Sequence, residues 1–505
     1  MFLARLLVLF SLVCISCAHS SFEQKQLKHA LDFATSNRLE LEILLQHYTY
    51  DSLKLEAAKF LIRNMPHCYS YQQGGEMDSV KRVRTYYSPF GQIDQTYARR
   101  WGHYTYRNLL KIYDAHIITA EYLIDNIDRA FDNWQKRPWN RSLSFEDFCE
   151  YLLPYRIGDE PLEEWRELYE KKYGYLLDSI YKGGDVVEAA NLVSRHLQEP
   201  VFIYCEDFEL PHIGPRYLFS HRYGSCVDAA DIVTYAFRAV GIPCMEDTDA
   251  RGGHVWNVVR DTTGRDVPIW YIASEAVRGS RDTGGYKRGK VYRPMYGFQE
   301  EKAAHLGDDW KSMPLLFYHP YMKDVSYAYY PDTLRILTGI PDDEVCYLAH
   351  FHEAHWWSCA CARSASGKME IPNLESELVY LPMKYTKGNY YPSGFPFWFA
   401  GGEINTFLPD WEKTVKVRLY RKYPVYGWLR SFMGHVVGGT FEGSMTKNFE
   451  DGKTLYEIAD TPVIARNRIF LNKSVKCRYI RYKADNDKCC LLYTSPSPRD
   501  MRRSR

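Results

Sequence analysis

The sequence predicts a multidomain α+β protein with a helical N-terminal region, an α+β core and C-terminal β-sandwich modules. Three observations predict it. Residues 22–175 place apolar side chains mostly at helical spacing. Val227–Val240 reads as one buried helix, and His254–Arg260 follows it as an alternating strand. From about Asp324 onward, short alternating runs are punctuated by glycine turns. The chain has 505 residues, too many for one core, so two to four domains of roughly 100–200 residues are expected.

The N-terminal region (22–175) starts with Leu27, Leu31 and Ala34 on one helical face. Ser36 is expected to cap a helix over Arg38–Tyr48, and Asp51 one over Leu53–Asn64 that stops at Pro66. Ser144 with Asp147 forms a capping pattern ahead of Phe148–Leu153. Glu163–Tyr173 is a further predicted helix. This layer reads as a packing unit rather than a lid. In the core (183–300), Ala230, Val233, Ala236, Phe237 and Val240 line the buried face of the helix, and Gly241-Ile242-Pro243 ends it. Thr262–Arg265 is a turn. The segment 315–428 is predicted as one β-sandwich, with Glu377–Leu381 and Val415–Leu419 as alternating strands. Residues 429–489 form a second β module, cut short.

Neither terminus belongs to the predicted fold. Arg5 precedes an apolar run from Leu6 to Ile15, too short to span a bilayer and suited to an export signal. Ser16-Cys17-Ala18 follows and resembles a bacterial lipoprotein cleavage site, so residues 1–17 are read as a signal segment and Cys17 as the lipidated residue. At the other end, Cys490–Asp500 (CLLYTSPSPRD) is similar to the translation of a transposon-end sequencing adapter. Residues 490–505 are therefore read as adapter read-through.

Lys and Arg total 64 against 63 Asp and Glu, so no basic field points to nucleic acid or anionic lipid. The cysteines outside both termini are Cys68, Cys149, Cys205, Cys226, Cys244, Cys346, Cys359, Cys361, Cys477 and Cys489. Such scatter is unlike a disulfide scaffold.

The chemistry concentrates in two segments. In RYGSCVDAADIVTYAFRAVGIP, Cys226 stands where Gly224-Ser225 gives way to helix. A thiolate there gains from free backbone N–H groups and the positive helix end. In RGGHVWNVV, His254 opens a strand after Gly252-Gly253. A neutral imidazole beside the thiol would take its proton and pass it to a leaving amine. Asp228 and Asn257 read as local hydrogen-bonding residues. His350, His352, His355, Cys359 and Cys361 also cluster, but their spacing is not His-Glu-x-x-His and the segment reads as strand, so they are taken as ordinary strand residues and no metal is expected.

Gly224-Ser225-Cys226, Arg238–Pro243 and Gly253-His254-Val255-Trp256-Asn257 together resemble the transglutaminase-like family of papain-like folds. From about Phe22 to Cys489 the chain is also similar to exported proteins of the Bacteroidota type. GGTFEGSMTKNFEDGKTLYEI with CRYIRYKA resembles discoidin-like or galactose-binding-like modules. The resemblance implies a Cys226–His254 thioester mechanism on peptide or glycopeptide amides, hydrolysis rather than cross-linking, and no cofactor. It also implies an Asp on the strand after the His strand. Trp270 falls at that position. The candidates for the third member are then Glu275, first, with Asp261 and Asp266 as alternatives. The implied partners are a peptide or glycopeptide substrate and a glycan held by the β modules, with membrane contact only through the lipid anchor. The implied location is the cell envelope, periplasmic or outer-membrane associated. The alternative is an inactive scaffold that binds envelope glycans, a reading that the Trp at 270 favours.

Overall fold

A computed structural model describes residues 22–83, 106–199, 201–204, 210–251, 253–270, 272, 274–280, 287–299, 313–337, 339–352, 355–410, 412, 434–462, 469, 471 and 475–484. The signal segment with Cys17, the strand expected at Val415–Leu419, Cys205, Cys489 and the tail 490–505 lie outside these residues. The fold mixes helix and sheet. The chain divides into two compact units, residues 1–351 with 356–407, and residues 352–355 with 408–505.

In the first unit the helices begin where local chemistry caps them. Asp51 accepts from Lys54 N at 3.1 Å to start Ser52–Asn64, and Ser144 Oγ accepts from Asp147 N at 3.1 Å to start Phe145–Tyr151. Ser36 does not cap: it sits inside a 3₁₀ turn, Thr35–Asn37, and Arg38–His47 follows Asn37 without a side-chain cap. The helix expected from Glu163 starts later, at Arg166, and runs to Tyr175. Two long helices carry caps of their own, Thr119 for Ala120–Lys136 and Asp185 for Val186–His196.

The helix Cys226–Ala239 is the centre of this unit, buried from Asp228 onward. It packs on a five-stranded antiparallel sheet in the order Asp266–Ile269, Val255–Arg260, Cys244–Asp249, Val291–Pro294, Met322–Asp324. Strand alternation sorts the two sheet faces. Val259, Val267 and Ile269 pack under the helix. Met245, Trp256, Val258 and Val291 pack on the other face with Val325 and Tyr329. A buried ion network ties that second face together. Arg293 meets Asp247 at 2.6 and 3.0 Å and Asp266 at 2.8 Å, and Tyr329 Oη donates to Asp247 at 2.6 Å.

Residues beyond 330 in the first unit form two sheets that share a core. The larger sheet runs His355–Arg363, Val345–His352, Leu378–Thr386, Phe397–Ala400, Glu403–Thr406, with Asn389–Pro392 also on Leu378–Thr386. The smaller pairs Leu334–Leu337 with Lys368–Ile371. Cys346, Leu348, Tyr380, Phe397 and Phe399 meet Leu334, Met369 and Ile371 in a shared core. His350 and Cys359 are buried strand residues here. Among the described residues no three His, Cys, Asp or Glu side chains are grouped to hold a metal ion. The second unit contains a three-stranded antiparallel sheet, Lys453–Glu457, Thr440–Ser444, Tyr479–Lys483.

Candidate active site

Cys226 is the first residue of the central helix and is partly exposed. The turn before it is built by Asp228, which folds back to accept from Ser225 N at 2.7 Å and from Ser225 Oγ at 3.1 Å. Gly224 makes room for this, because a Cβ there would collide with the Asp228 carboxyl. The capped turn leaves the Cys226 thiol at the positive end of a buried helix, where a thiolate is favoured.

The helix and the strand Val255–Arg260 run in the same direction. Asn257 Nδ2 donates to Ala230 O at 3.0 Å and to Thr234 Oγ1 at 2.9 Å, which pins mid-strand to mid-helix. At the far end Arg260 N donates to Pro243 O at 3.1 Å. Cys226 lies one turn before Ala230, roughly 6 Å along the axis. His254 lies three residues before Asn257, roughly 10 Å along the strand. Both candidate residues therefore belong to the same end of the helix–strand pair. The imidazole stacks on Trp256 (centroids 5.8 Å, 30°), on the sheet face away from the helix.

Asp249 organises the turn before His254. Its carboxylate accepts from Gly253 N at 2.8 Å and Arg251 N at 3.1 Å, and Asp249 N and Thr248 Oγ1 donate to His254 O at 3.3 and 3.1 Å. Burial, then the Arg288 charge, push the His254 imidazole down to about 4, while Asp249 pulls the other way. The imidazole is neutral at neutral pH. Arg288 is 2 % exposed, and its guanidinium lies 4.7 Å from the Trp256 ring and 5.0 Å from the Trp270 ring. The pairing of Asn257 with Ile269 puts Trp270 beside Trp256, with ring centroids 5.2 Å apart. Where the family resemblance calls for a carboxylate, this chain has an indole and, held on it, a cation.

The three carboxylates expected as third member are directed elsewhere. Glu275 pairs with Arg195 at 2.7 Å on an exposed edge, because Asn191 and Ser194 hold the segment around it against the helix Val186–His196. Asp261 caps its own turn through Thr263 and Arg265 and meets Arg278 at 3.1 Å. Asp266 joins Arg293 and Tyr151. Both aspartates lie at the opposite end of the hairpin from His254. Asp249, which sequence reasoning missed, is a carboxylate whose charge favours the protonated imidazole, while its hydrogen bonds go to the backbone N–H groups of Arg251 and Gly253. Its only signal was the strand Cys244–Asp249 leading straight into the Gly-His turn.

Cavities of about 550, 490 and 420 Å³ are lined by residues other than Cys226 and His254. No family model, no curated protein and no solved structure matches the chain.

Proposed function

We propose that this chain is an exported, transglutaminase-like thiol enzyme that hydrolyses amide bonds of peptide or glycopeptide substrates. The observation that supports the reading is the parallel run of the helix Cys226–Ala239 and the strand Val255–Arg260, whose starts lie at one end of the core, with the imidazole turned to the sheet face away from the helix. In this reading the Cys226 thiol gives its proton to neutral His254 as it attacks the carbonyl. The thioester forms, His254 protonates the departing amine, and water attacks with His254 as base. The backbone N–H groups of the helix start stabilise the oxyanion. Asp249 takes the place first given to Glu275. No metal enters the scheme. The finer architecture belongs to the same proposal: a lipidated Cys17, a transglutaminase-like core over 183–300, a β-sandwich over 315–428 and a discoidin-like module over 429–489, with the β modules holding a glycan near the envelope.

Trp270 and Arg288 favour the second reading, an inactive scaffold that binds glycans, because the imidazole lies beside a cation and not beside the expected Asp. Incubation with a small activated acyl ester, followed by intact-mass and peptide mapping, separates the two. The enzyme reading expects an acyl adduct on Cys226 that turns over, and that persists longer in His254→Ala. A thiol that never acylates leaves the scaffold reading.

A further inference from the structure

A second imidazole–carboxylate pair sits elsewhere on the central helix. Asp231 is fully buried, and His212 Nδ1 lies 2.9 Å from both of its oxygens. His212 N donates to Asp159 Oδ1 at 2.9 Å, so the ring is fixed through the main chain and through Nδ1. Gly158 lets it lie there, since a Cβ at that position would collide with Cδ2 and Nε2 of the ring. Burial opposes a charge on His212, but Asp231, Asp159 and Glu160 outweigh it and hold the imidazole well above its ordinary range. Nε2 is then an N–H donor, and it has no hydrogen-bond partner among the described residues.

This ring lines a cleft of about 420 Å³ together with His67, Tyr69, Tyr296 and Tyr321. Its volume lies within the range usual for small-ligand sites, roughly 300–1,000 Å³. His67 is stacked on Tyr321 at 3.5 Å, and the backbone of Asn64 engages its ring. Burial, then nearby His319, push His67 down to about 3, so this second imidazole is neutral. The other charged groups of the cleft are already engaged. Arg156 is bound to Asp114 at 2.5 and 2.6 Å, and Glu150 accepts from Tyr296 N and Gly297 N.

We propose that this cleft is a binding site for a neutral, hydroxyl-rich ring of one or two sugar units. The open Nε2 N–H of His212 and the neutral His67 ring, set among tyrosine side chains, suit a ligand that both donates and accepts, and a hydroxyl does both. An anion is disfavoured because the His212 charge is already matched by Asp231 and faces Asp159. Tyr69, Tyr296 and Tyr321 add apolar ring surface to the lining, which suits the C–H side of such a ring. The inference does not depend on the Cys226 chemistry.

The test is ¹³C-His NMR on the full chain with glucose, N-acetylglucosamine, acetate and N-methylacetamide as probes. A saturable shift of both the His212 and His67 signals with a sugar, and not with acetate or N-methylacetamide, is the expected result. Affinity should fall about tenfold or more in His212→Asn, roughly the loss of one or two hydrogen bonds. Tyr69→Ser, at a half-buried position, gives a second variant should His212→Asn misfold, and should weaken sugar binding as well. A response to acetate alone, a response to N-methylacetamide alone, or no response to any probe would overturn the proposal.

Discussion

Replacing Arg288 by Met should raise the pKa of His254. The methionine keeps an apolar stem beside Trp256 and Trp270 and removes the cation. In the native protein the imidazole is pushed down to about 4 from an ordinary 6.5, by burial first and by Arg288 second. Removing a like charge at this range is worth on the order of one pKa unit. The His254 midpoint should therefore move to about 5, with burial and Arg251 still acting against the charge. At pH 5.5 the protonated fraction would rise from roughly 3 % to about one quarter by simple titration. The assay is the ¹³Cε1 chemical shift of His254 against pH, with His254→Gln used to assign the signal. A native midpoint at or above 6.5, or an unchanged midpoint in Arg288→Met, would refute the reasoning that burial and the cation on the tryptophan pair together hold this imidazole neutral. The linkage has a definite sign. The folded pKa lies below the unfolded one, so the contribution to stability is present above pH 6.5 and is lost as pH falls through about 4.

Arg293→Met leaves Asp247 and Asp266 without their shared guanidinium and should cost about 3–5 kcal/mol in urea unfolding, since breaking a buried pair from one side strands a charge. Gly224→Ala should cost about 1–3 kcal/mol, because the added Cβ displaces the Asp228 carboxyl that builds the turn before Cys226; a thermal melt superimposable on the native one would contradict this. Glu246 is buried against Thr234 Oγ1 at 2.8 Å and is pushed up to about 8 by burial and then by Asp231. Its contribution is present below pH 4.5 and lost as pH rises through about 8, so the urea midpoint of Glu246→Gln should gain on the native protein between pH 5 and pH 8.

Local signals were the legible part of this fold. Asp51 and Ser144 cap because a short oxygen-bearing side chain before an apolar helical run has an unpaired N–H within reach. Ser36 has the same chemistry but falls inside a 3₁₀ turn, and nothing in the residues around it announces that turn. Cys226 and His254 were readable because each marks the start of a regular element with glycine before it. A carboxylate beside His254 was not, because strand pairing decides it. Asp249 lies opposite His254 only once Thr248 pairs with Val255, and Glu275 is lost to Arg195 only once its segment docks on the helix Val186–His196. Arg288 and the His212–Asp231 pair depend on long-range packing in the same way, and linear spacing gives no hint of either.

In the proposed mechanism Cys226 is an activated thiol whose ionisation depends on His254. The most direct measurement is the alkylation rate of Cys226 against pH by site-resolved mass spectrometry, in the native protein and in His254→Ala. The account predicts fast labelling with a midpoint below the free-thiol value of about 8.5, and its loss in His254→Ala. Slow labelling that titrates near 8.5 in both proteins would contradict it.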